Sequence, residues 1–147
     1  MGHTYSANLV HCVFSTKERA PLIAANWREE LWAYILGIAR NEKIKILAIG
    51  GVADHLHVLI VLPPKMNLSK VVCDLKSNSS KWLNDRGVRF GWQEGYGAFS
   101  VSPSRVTYVQ RYIRNQAEHH KKRNFEQEFV DLLRTSGISF EDKFVFG

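Results

Sequence analysis

Apolar positions along the chain switch between two rhythms, and each switch marks a change of element. Residues 7–15, ANLVHCVFS, are rich in apolar and β-branched side chains and predict a first strand. After Pro21, residues 26–40 place Trp27, Leu31, Ile35 and Ile38 at helical spacing, with Asn26 as the expected N-cap. Residues 44–49, IKILAI, read as a strand ending at Gly50-Gly51. Another strand follows at once over 55–62, so the two should form a hairpin, stopped by Pro63-Pro64.

A second helix is predicted over 67–84, burying Leu68, Val71, Val72, Leu75, Trp82 and Leu83. Residues 87–97, GVRFGWQEGYG, read as a loop or irregular hairpin, and 98–102 as a further strand. Pro103, capped by Ser102 or Ser104, opens a third helix expected to run unbroken to about Lys122, with Val106, Val109, Ile113 and Ala117 as its buried stripe. A shorter helical segment, FEQEFVDLLRTSG, ends at Gly137, where glycine suits a left-handed cap. The tail from Ile138 reads as a last short strand or a docking arm.

This β-α-β-β-α-β-α order predicts an α+β, ferredoxin-like (RRM-like) sandwich, an antiparallel sheet with helices packed on one face and the other face open to a ligand. No repeat or linker divides residues 1–147, so one domain is expected.

Composition adds little to the fold but narrows the function. The 147 residues are 45% hydrophobic and 12% aromatic, ordinary for a globular chain. No apolar run approaches the roughly 20 residues of a membrane span, and the N-terminus lacks a signal-peptide pattern. A cytoplasmic protein is expected, nucleoid-associated in a prokaryote. The two cysteines, Cys12 and Cys73, are too far apart for a metal knuckle and read as buried apolar residues. A formal charge of +6 favours a polyanionic partner without requiring nucleic acid.

The chemistry concentrates in ADHLHVLI, residues 53–60. His55 and His57 share one face of their strand, roughly 7 Å apart along it, while Leu56 points to the other. Two imidazoles so placed suit one metal ion, but they make an incomplete site, and the spacing alone also fits half-exposed strand histidines. Asp54 is placed either to orient one imidazole or simply to form the turn. In the third helix Tyr112 and Gln116 are i, i+4 neighbours on the flank of the apolar stripe, whereas Tyr108 points more nearly to solvent.

DHLH in a strand, WQEGYGAFSVS, and YIRNQAEHHKKRNFEQEF together resemble the single-tyrosine transposases of the insertion sequence 200/605 family, within the wider group of HUH endonucleases. The resemblance covers essentially the whole chain. It implies that His55, His57 and Gln116 hold Mg²⁺ or Mn²⁺ and that Tyr112 is the nucleophile. It further implies a DNA transposase that cleaves and rejoins single-stranded DNA through a 5′-phosphotyrosine link, acts as a homodimer and recognises hairpins at the ends of a mobile element. His119, one turn past Gln116, reads either as a base for Tyr112 or as a helix-end histidine.

Lys76, Lys81, Lys121, Lys122 and Arg123 are candidate DNA contacts, against solvated helix faces and helix-dipole complements. Trp92 and Tyr96 suit either base stacking or packing, and His11, Lys17 and Arg19 lie near enough in sequence to approach the active face. Alternatives remain in a domesticated nuclease acting on chromosomal palindromic repeats, a non-catalytic nucleic-acid-binding module, and a small metalloenzyme unrelated to DNA.

Overall fold

Four alternating segments pair into a single antiparallel sheet. The computed structural model describes residues 2–141. Its strands are β1 (Leu9–Ser15), β2 (Lys45–Val52), β3 (His55–Val61) and β4 (Gly97–Val101), in the spatial order β2-β3-β1-β4. Helix α1 (Arg28–Asn41) joins β1 to β2, and α2 (Leu68–Asp85) joins β3 to β4. Each helix therefore carries the chain past one intervening antiparallel strand, the split β-α-β arrangement of the ferredoxin-like fold. β2 and β3 form the expected hairpin, with a register shift between Ile46 and Ala48.

Strand alternation gives the sheet two different faces. Val10, Cys12 and Phe14 of β1 and Leu56, Val58 and Ile60 of β3 join Leu31, Ile35, Val72 and Leu75 of the two helices in the main core. Asn67 caps α2 by accepting from the Ser69 amide. Helix α1 begins one residue later than expected, with Trp27 rather than Asn26 at its N-cap and no side-chain cap bond. Cys12 is buried, and burial pushes its thiol up to about 12. Cys73, by contrast, is exposed. It falls off the series Val71, Val72, Leu75, Ser79 and Leu83 that α2 turns toward the sheet.

The second face is covered rather than open. Two further helices, α3 (Val106–Arg114) and the short α4 (Gln116–His119), follow β4, and α5 (Phe125–Thr135) completes the described elements. Ile113 of α3 packs with Ala48 and Leu59. Phe125 and Leu133 of α5 pack with Val13 and Phe99. Close approach of α3 depends on Gly50, because a Cβ there would lie 2.3 Å from the Ile113 carbonyl oxygen.

The predicted third helix is broken at Asn115, whose φ of −99° and ψ of 26° lie outside the helix. Asparagine competes locally for backbone hydrogen bonds and is a weak helix former. The break leaves Ala117 exposed instead of in the expected stripe. Gly137 does take a positive φ of 70° just past α5. Residues 138–141 form no strand. The rest of the expected tail element, residues 142–147, lies outside the described residues.

Candidate active site

β3 crosses the centre of the sheet, so any side chain on its second face is buried once α3 to α5 close over it. His55 and His57 are both fully buried there. Burying imidazoles is costly unless their nitrogens are paired, and here every one of them is. His55 Nδ1 lies 2.8 Å from Asp54 Oδ1. His57 Nδ1 lies 2.8 Å from His11 Nε2, across the β1–β3 pairing. Both contacts turn the Nε2 atoms toward a common point, as outer-shell partners do for metal-binding histidines. Asp54 is itself fixed by β1's end, since the Thr16 amide and hydroxyl both donate to its carbonyl at 2.9 and 3.1 Å.

The break at Asn115 brings Gln116 into the same space. Its Nε2 donates to the Tyr112 carbonyl at 3.3 Å, and its Oε1 faces His55 Nε2 at 3.0 Å and His120 Nε2 at 3.1 Å. The amide is thereby oriented with its oxygen toward the imidazoles.

α5 supplies a carboxylate. Asn124 and Gln127 form a reciprocal capping box that fixes where the helix starts, placing Glu128 in its first turn. Glu128 Oε1 lies 3.0 Å from His57 Nε2, 3.3 Å from His55 Nε2 and 3.2 Å from His120 Nε2. Its Oε2 accepts from the Tyr112 hydroxyl. Arg123 Nη2 donates to the same phenol oxygen at 3.3 Å, while Arg123 Nη1 binds Asp131.

The electrostatics follow from this packing. Burial alone would raise Glu128, but hydrogen bonds from His120, His55 and His57 outweigh it and hold the carboxyl well below the usual range. Burial, reinforced by His57, lowers His11 to about 3. Burial likewise lowers His57 to about 4 despite Glu128. His55 goes the other way: burial would depress it, yet Asp54 and Glu128 lift it to about 9. The Tyr112 phenol is raised, first by burial and then by the facing carboxylate, with Arg123 opposing.

The ligand atoms of His55, His57 and Glu128 all lie within 4.8 Å of one another. With the Gln116 oxygen beside them, they form a compact set of imidazole, amide and carboxylate donors. That chemistry fits a divalent ion that accepts both nitrogen and oxygen. Among the described residues, the one buried side-chain polar atom without a hydrogen bond is Arg28 Nε, remote from this cluster.

Residues 4–116 match the family model described as "Transposase IS200 like". The chain belongs to that family. The transposase is 28% identical over 129 residues to the insertion sequence IS200 transposases of Salmonella typhimurium and Salmonella typhi, an alignment covering 82% of this chain and 84% of each relative. Two solved structures share the fold. One is a candidate transposase from Deinococcus radiodurans R1, with TM-score 0.62, 22% identity and coverage of 79% of this chain and 96% of that one. The other is a REP-associated tyrosine transposase bound to a REP hairpin, with TM-score 0.58, 15% identity and coverage of 77% and 70%.

Of the residues singled out in the transposase sequence, His55, His57, Tyr112 and Gln116 meet in one cluster. Arg123 joins them at the phenol oxygen. Lys76, Lys81, Lys121 and Lys122 do not. Lys76 donates to the carbonyls of Gln93 and Gly95, anchoring the loop before β4. Lys81 pairs with Asp85 along α2, Lys121 pairs with Glu118 from the turn after α4, and Lys122 is exposed. Lys76 and Lys81 also sit on α2, across the sheet from the cluster. Trp92 packs into the main core against Phe14 and Phe90 and donates to Ser79 Oγ at 3.0 Å. The His119 ring lies tilted against the Tyr112 ring, centroids 4.6 Å apart, without a hydrogen bond to its hydroxyl.

Sequence reasoning missed Glu128 and His120 and gave His11 little weight. Glu128 had a readable signal, an acid inside the apolar stripe of Phe125, Phe129, Leu132 and Leu133. His120 had none beyond its place in a basic helix end.

Proposed function

We propose that this transposase cleaves and rejoins single-stranded DNA through Tyr112, forming a covalent 5′-phosphotyrosine link beside a divalent ion, Mg²⁺ or Mn²⁺. His55, His57 and Gln116 would hold the ion, with Glu128 as a further donor. When bound, such an ion supplies positive charge to the non-bridging oxygens of the scissile phosphate. One observation carries the reading: a single carboxylate, Glu128, faces the Nε2 atoms of the strand histidines with one oxygen and the Tyr112 hydroxyl with the other.

The chain's own residues do the rest. Burial and the facing carboxylate disfavour a free phenolate, so the Tyr112 proton leaves as its oxygen bonds to phosphorus. Glu128 Oε2 is placed to receive that proton. The bond from phosphorus to the 3′-oxygen breaks, giving a free 3′-hydroxyl on one strand and a phosphotyrosine on the other. Arg123, braced by Asp131, steadies the phenol oxygen both as nucleophile and, on rejoining, as leaving group. The ester conserves the bond for transfer to another strand, which is strand exchange rather than degradation.

The partner is single-stranded DNA, and hairpins at the ends of a mobile element are the proposed target. Element transposases at 28% identity favour this over a host nuclease acting on chromosomal repeats. Buried chemistry around Tyr112 favours an enzyme over a passive binding module. Lys121, Lys122 and Arg123 are the proposed backbone contacts, and a homodimer is the proposed assembly. Within one chain, Glu128 links the Tyr112 hydroxyl to the strand histidines.

Incubation with single-stranded hairpin DNA from the element ends, with Mg²⁺ or Mn²⁺, tests the reading on a denaturing gel. A shifted protein–DNA band is expected that disappears in Tyr112→Phe and persists in Tyr34→Phe, a change on α1 across the sheet. No band with the wild-type chain would refute the covalent mechanism.

A further inference from the structure

Tyr112 also borders a second concavity, whose lining includes none of the metal donors. A cleft of about 790 Å³ runs between α3 and α5, with Phe99 of β4 at its floor. Arg105, Tyr108 and Tyr112 form one wall, and Arg123, Asp131 and Arg134 the other. Its volume is that of a small-ligand site, roughly 300–1,000 Å³.

Its chemistry is that of a nucleotide site. Tyr108, one helical turn before Tyr112, is 57% exposed, an unusual place for an aromatic ring with only a packing role. The Arg105 guanidinium stacks over that ring at 4.4 Å from its centroid. Asp131 is the one acid lining the cleft, and it is already bound by Arg123. Arg105 and Arg134 have no ion-pair partner among the described residues. An exposed aromatic platform flanked by uncompensated guanidinium groups suits a base and its phosphates.

The direction of attack says which nucleotide belongs there. In-line displacement forms the Tyr112 oxygen–phosphorus bond on one side and breaks the phosphorus–3′-oxygen bond on the opposite side. The phenol proton goes to Glu128 and the departing 3′-oxygen takes one from solvent. The strand leaving with the 3′-hydroxyl therefore withdraws away from the phenol. The nucleotide keeping the phosphate through its 5′-oxygen stays beside the Tyr112 ring, where the cleft begins. We propose that this cleft binds that retained, 5′-phosphorylated nucleotide, with its base on Tyr108 and its following phosphate held by Arg105 and Arg134. The proposal rests on Tyr112 being the nucleophile for its polarity.

Binding of short strands, read without chemistry, tests it. The full chain carrying Tyr112→Phe is titrated into two pools of random-sequence tetranucleotides, one with a 5′-phosphate and one with a 3′-phosphate, each dye-labelled at its other end. Fluorescence anisotropy should show the 5′-phosphate pool binding about tenfold tighter, because only its terminal phosphate, seated beside Arg123, sets the first base on Tyr108. Adding Tyr108→Ala or Arg105→Ala should bring the pools to within about twofold, whereas Tyr108→Phe keeps the preference because the platform remains. Equal binding of both pools, or a preference untouched by Tyr108→Ala and Arg105→Ala, overturns the proposal. Neither result alters the gel assay for the covalent link, so failure of the cleft and failure of the nucleophile are separable.

Discussion

His11 Nε2 and His57 Nδ1 lie 2.8 Å apart across the β1–β3 register, so one imidazole sets the orientation of another. His11 cannot be swapped for an apolar ring without removing the contact that fixes the His57 ring. In His11→Phe the ring volume is retained beside Phe99, but the Nδ1 partner is gone. Mn²⁺ affinity, measured by isothermal titration calorimetry, should fall about 10–100-fold, the usual effect of removing an outer-shell partner. Unchanged affinity would show that His57 needs no such support.

Gly50 couples the sheet to the nucleophile helix. A Cβ at this position would meet the Ile113 carbonyl at 2.3 Å, and Ile113 is the residue after Tyr112. Gly50→Ala should cost about 1–3 kcal/mol in urea unfolding, as overpacking does, and should slow covalent-complex formation by displacing α3. Gly37→Ala in α1 has open space around its new methyl group. It should leave the adduct unchanged and gain roughly 0.5–1 kcal/mol from helix propensity.

Without metal, the cluster makes stability depend on pH in both directions. His11 and His57, held by burial at about 3 and about 4 against an ordinary 6.5, refuse protons that the unfolded chain accepts. Stability should therefore fall as pH drops from 6.5 toward 4, by a few kcal/mol in all. Below the ordinary glutamate range, loss of the depressed Glu128 carboxylate adds to the fall. His55, raised to about 9 chiefly by Asp54 against burial, contributes fully below 6.5, and that contribution is lost as pH rises through 9. Thermal melts in chelator should peak near neutrality, with a shallower acid limb in His11→Phe. A melting temperature flat from pH 5 to 7 would contradict this assignment.

The sheet and its first two helices were legible because strand alternation and the Leu31–Ile35–Ile38 stripe are local patterns with one physical solution. The H-x-H strand and the Tyr112–Gln116 pair were legible as short-range spacings. The tertiary layer was harder to read. Helix propensity is too weak a term to announce the break at Asn115, yet that break turns Gln116 inward and Ala117 outward. His11 meets His57 only through the β1–β3 register, which no local spacing encodes. Glu128 lies 71 residues from His57 and was visible only as an acid on an apolar face.

The central claim is that Tyr112 itself becomes bonded to DNA. Its most direct test is mass spectrometry of the trapped complex after nuclease and protease digestion. The account predicts a nucleotide 5′-phosphate on the peptide bearing Tyr112, with fragment ions locating the added mass on that residue. A modification on Tyr108 or any other residue, or a cleaved strand with unmodified Tyr112, would contradict it.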